Sequence, residues 1–136
     1  MKRITVLAAA MLTLALAVGC QNWERTTFQA LSASKTTLDS AQAAYEVSAS
    51  TSICPTPSAI TPPCIPHTAV AYKTITDAKV LQKGAVDAMV VYEELKAANA
   101  QPDALAKAEA DVEVALAALS TITGDVKSLY AVAKGN

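Results

Sequence analysis

Six prolines occur in this chain, and five of them crowd into residues 53–66: Pro55, Pro57, Pro62, Pro63 and Pro66. Proline has no amide hydrogen and fixes its own backbone angle. It also pushes the residue before it away from helix. Residues 53–66 therefore predict a loop, and a loop that long divides whatever folds on either side. The remaining proline, Pro102, follows Asn99-Ala100-Gln101 and precedes Asp103. Proline suits the first position of a helix, and an acidic residue beside it meets the helix's positive end. The prolines thus allow three long segments. All three are rich in alanine, which loses the least entropy on entering a helix. With four glycines and six aromatics among 136 residues, the composition favours helix over strand. The expected fold is all-α: an antiparallel three-helix bundle with helices at about 24–50, 67–100 and 102–134.

Segment one carries Phe28, Leu31, Leu38, Ala41 and Tyr45 at helical spacing. Segment two shows Tyr72, Ile75, Val86, Met89 and Tyr92 or Leu95, widened by Val80, Leu81, Val90 and Val91. Gly84 sits in its middle, where glycine costs roughly 1 kcal/mol relative to alanine. Segment three is the most regular. Leu105, Ala108, Val112, Ala115, Leu119, Ile122, Val126, Leu129 and Ala133 step by three and four throughout. Such a seam serves an intrachain bundle or a coiled coil with a second copy, so a homo-oligomer stays open. The short break at 99–102 turns segments two and three back on each other and favours the bundle. Lys35, Leu38, Asp39, Tyr45 and Glu46 also resemble Lys83, Val86, Asp87, Tyr92 and Glu93. Chance in helical sequence explains that match better than duplication does.

Before these segments stands a different kind of sequence. Lys2 and Arg3 precede an apolar run from Ile4 to Val18, which ends in Ala17-Val18-Gly19-Cys20. A basic start, an apolar stretch and small residues before a cut are marks of a secretory signal peptide. The run is shorter than the roughly 20 residues that span a bilayer. Ala17-Val18-Gly19-Cys20 resembles the lipobox of bacterial lipoproteins. That resemblance implies a signal peptide over residues 1–19, acyl chains such as palmitate on Cys20, and a tether at 20–23 leading into the domain at 24–136. It places the protein in the cell envelope, membrane-anchored through lipid on Cys20. Gln21, where an aspartate would favour inner-membrane retention, points to the outer membrane facing the periplasm. Trp23, Phe28, Ala30-Leu31 and Tyr45-Glu46 make the remainder similar to small bacterial and phage-encoded lipoproteins of unassigned role, which carry no function over.

With Cys20 acylated, Cys54 and Cys64 remain as a pair in an oxidising compartment, and a disulfide between them is expected. Closing a loop of this size contributes roughly 2–3 kcal/mol by restricting the unfolded chain. Removing residues 1–19 leaves 117 residues, with nine Lys and Arg against twelve Asp and Glu, a formal charge of −3. No basic cluster marks a nucleic-acid binder. His67 is the only histidine. With Cys54 and Cys64 it makes three potential ligands, one short of a structural zinc site, so no metal or cofactor is expected. No serine lies in a nucleophile elbow. Glu93-Glu94 and Asp111/Glu113 are too close in sequence to face each other on a helix. The expectation is a non-enzymatic structural or protein-interaction module that meets an envelope protein or the cell wall. The alternatives are an anchored carrier of a small apolar ligand, or an inhibitor or exclusion factor acting on an envelope protein. Tyr45, Tyr72, Tyr92 and Tyr130 lie beside the seams and are the candidate contact surface. Trp23 fits either the lipid headgroups or the end of the bundle.

Overall fold

The computed structural model describes the backbone of residues 2–48, 54 and 64–133, and the side chains of 22–48, 54 and 64–130. Among the described residues there are three helices: α1 (Lys2–Val47), α2 (Ala69–Ala97) and α3 (Pro102–Ala133). They form an all-α three-helix bundle, as expected. The chain divides into two units, Met1–Ala30 and Leu31–Asn136. The first belongs to α1. Within it Thr26 Oγ1 donates to Asn22 O at 2.8 Å, and Phe28, expected in the buried stripe, is about half exposed. Over residues 22–130 no helix is long and apolar enough to cross a membrane.

The second unit holds the core. Its α1 portion buries Leu31, Leu38, Ala41, Ala44 and Tyr45, and α3 buries Ala108, Val112, Leu119 and Val126. Those α3 residues are the centre of the expected seam. Leu105, Ala115, Ile122 and Leu129 flank them half-buried. Thr123 is also buried, and its hydroxyl donates to Leu119 O at 2.7 Å.

On α2 the buried face differs from the expected one. It consists of Ala71, Ile75, Ala78, Ala85, Met89 and Tyr92. Tyr72 and Val86, read as seam residues, are exposed, as are Val80, Val90 and Val91. In both misread places the buried residue is the alanine one position earlier. The α2 face then steps by four and three from 71 to 92, with Gln82 filling its central position. Gln82 Nε2 donates to Leu31 O on α1 at 3.1 Å. Its Oε1 is buried with no hydrogen-bond partner, which costs about 1–3 kcal/mol.

The helix ends have local causes. The Thr68 hydroxyl accepts from Ala71 N at 3.1 Å and caps α2. At the other end Asn99 takes a left-handed conformation, φ 52°. Asn99 N donates to Lys96 O at 3.1 Å and Ala100 N to Leu95 O at 2.9 Å. This is the Schellman pattern, with asparagine where glycine is usual. Two residues later Pro102 opens α3, so α2 turns directly into it. Exposed Lys–Asp pairs four residues apart line the helices: Lys35–Asp39, Lys73–Asp77, Lys83–Asp87 and Lys107–Asp111. Solvent and salt screen such exposed pairs, so they contribute little to stability.

Candidate functional site

The most built-up corner lies where the Pro-rich segment returns to the bundle. Cys54 and Cys64 are joined by a disulfide, with Cα atoms 5.7 Å apart. Pro55, Pro57, Pro62 and Pro63 lie outside the described residues. Cys64 is buried, and Ile65 after it is 0% exposed. Ile65 N donates to Ala44 O at 3.1 Å. The Ser48 hydroxyl reaches the carbonyls of Tyr45, at 2.8 Å, and of Ile65. The bonds to Ala44 O and Tyr45 O serve carbonyls at the end of α1 that have no partner further along the helix, and the single Ser48 hydroxyl proton goes to Tyr45 O or to Ile65 O. The return of the loop is thus a cap for α1, with Ile65 as its apolar plug.

Three aromatic rings gather at Tyr45, near the end of α1. His67 stacks on Tyr45 with centroids 4.4 Å apart and planes 21° apart. Tyr72 lies 6.2 Å from Tyr45, tilted by 45°. Tyr45 is buried beneath, whereas His67 is exposed and Tyr72 is 61% exposed. A buried ring carrying two wet ones presents an amphipathic face suited to a partner. Of the four candidate tyrosines, the fold therefore brings Tyr45 and Tyr72 together. Tyr92 is buried in the core. Tyr130 stands apart near the end of α3, half-buried, and burial raises its phenol pKa.

Sequence reasoning assigned His67 no role. The missing signal was its place three residues beyond Cys64, which fixes it over the end of α1. The Cys20 side chain lies outside the described ones. Among the described residues no cluster of three metal-ligating side chains occurs. Compared with protein-family models, curated proteins and solved structures, the chain finds no match.

Proposed function

We propose that this protein is a lipid-anchored module of the bacterial cell envelope, acting by contact with a partner rather than by catalysis. Acyl chains on Cys20 hold it at a membrane, at the outer membrane facing the periplasm. Two acyl chains suffice for stable anchoring, because each buried methylene contributes about 0.8 kcal/mol. The partner is an envelope protein or the cell wall, met through the exposed rings of His67 and Tyr72.

The observation that carries this reading is the disulfide. Cys54 and Cys64 are bonded, and such bonds persist in exported proteins rather than in a reducing cytosol. It accords with the basic start, apolar run and Gly19-Cys20 of the N-terminus. The test is the intact mass of protein extracted from membranes, with and without reductant. A chain beginning at Cys20, bearing acyl chains and gaining two hydrogens on reduction, is expected. A chain that begins elsewhere without lipid overturns the anchor. A photoreactive residue at position 72 then tests the contact. It should crosslink one envelope component reproducibly, and the yield should fall several-fold in His67→Ala.

A further inference from the structure

Between α1 and α2, inside the unit Leu31–Asn136, runs an open groove of about 350 Å³. Leu38, almost fully buried, and Val86 make its apolar floor, and Gln82 adjoins them. Lys35, Lys79 and Lys83 form its rim. Three of the chain's eleven Lys and Arg thus converge here, although the whole chain carries a formal charge of −1.

The carboxylates offset only part of this charge: three lysines and one aspartate, Asp39, line the groove. Asp39 is the carboxylate that lines the groove, and Lys35 holds it at 2.5 Å. That hydrogen bond chiefly, aided by the charges of Lys35 and Lys79, keeps the Asp39 carboxyl below its usual pKa. Lys83 pairs at 2.6 Å with Asp87, which does not line the groove. Lys79 makes no ion pair among the described residues, so its charge is available to a ligand.

Part of the paired pattern in the sequence meets in the groove. Lys35 and Leu38 on α1 stand three apart, as do Lys83 and Val86 on α2. Residues at this spacing share a helix face. The two pairs line the same groove from different helices, each offering a cation beside an apolar side chain.

We infer that this groove binds a single-chain amphiphile of the fatty-acid class, its carboxylate among Lys35, Lys79 and Lys83 and its alkyl chain along Leu38 and Val86. The volume is at the lower end of small-ligand sites and suits one chain rather than the two of a bilayer lipid. An uncharged apolar molecule would leave the excess positive charge of the rim, Lys79 above all, unanswered. Every residue involved lies between positions 35 and 86, so the inference stands whether or not Cys20 is acylated.

The test uses the full chain in its membrane. A dodecanoate bearing a diazirine at the chain end is added, the sample is irradiated, and labelled peptides are mapped. Label is expected in the peptides holding Leu38 and Val86. Lys79→Gln should reduce it about two- to fivefold, the range for one exposed charge contact. Changing Lys35, Lys79 and Lys83 together to Gln should reduce it roughly tenfold. These lysines are exposed, and unchanged helical circular dichroism verifies that the variants fold. The inference is overturned if those peptides stay unlabelled or if the lysine variants label as the parent does. Equal labelling by the matching dodecanol probe overturns the anionic head. Stronger labelling by a diacyl phosphatidylglycerol probe overturns the single chain and assigns the groove to bilayer lipid.

Discussion

Helices α2 and α3 are built from similar residues, yet they display their buried faces very differently. On α3 the large apolar side chains and the buried ones coincide: Val112, Leu119 and Val126 lie seven apart and all are buried. On α2 apolar residues point all round. Val80, Val86, Val90 and Val91 remain exposed while Ala71, Ala78 and Ala85 are buried. A search for large apolar residues therefore finds the α3 face and misses the α2 face by one position, twice. Close packing is the reason. Side chains interdigitate at near-crystalline density, so a large residue such as Leu119 needs small ones among its surroundings. The α2 alanines supply small positions in that core.

This contrast gives its sharpest test at the largest side chains. Leu119→Ala removes a fully buried leucine from α3 and should cost about 2–5 kcal/mol in denaturant unfolding. A loss under 1 kcal/mol would mean that the α3 seam does not hold the core. The reverse change on α2 should also hurt. Ala85→Leu forces extra methylenes into a filled space and should cost about 1–3 kcal/mol. Val86→Leu, one residue later on the exposed side, should stay within about 0.5 kcal/mol. If the two α2 variants behave alike, the assignment of the buried face is wrong.

Gln82 is the polar interruption of the α2 face. Gln82→Leu gives up the bond to Leu31 O and removes the unpartnered Oε1. Replacing an incompletely bonded buried group by an apolar one is near neutral or stabilising, so unfolding should show no loss and up to about 1 kcal/mol of gain. A clear loss would give that single bond more weight than its geometry implies. The smallest effect belongs to Gly84. A Cβ added there meets nothing within 4 Å. Gly84→Ala should therefore raise stability by roughly 0.5–1 kcal/mol, seen as a higher midpoint at unchanged slope. A decrease would reveal a close approach to this face.

The legibility of the site follows the same division. The disulfide was expected from cysteine number and the resemblance of the N-terminus to that of lipoproteins, whereas the Lys35–Asp39 and Lys83–Asp87 pairs were readable from their spacing alone. The latter inference rests on local geometry. The grouping of Tyr45, His67 and Tyr72 was not readable, because His67 reaches Tyr45 only through the docking of Ile65 onto α1. Nor was Lys79 legible as a rim residue of the groove. Nothing near it in sequence distinguishes it from any solvated lysine, and its neighbour Asp39 lies on another helix.

The sequence by itself determined the helical class, the separation of α1 from α2, the break before α3 and the face of α3. Each follows from forces acting over a few residues: proline geometry, alanine's low entropic cost, regular apolar spacing. Only the tertiary structure decided which face α2 buries, what caps α1, and which charges and rings stand together. Those outcomes depend on fitting side-chain volumes between elements far apart in the chain, and no local preference encodes that fit.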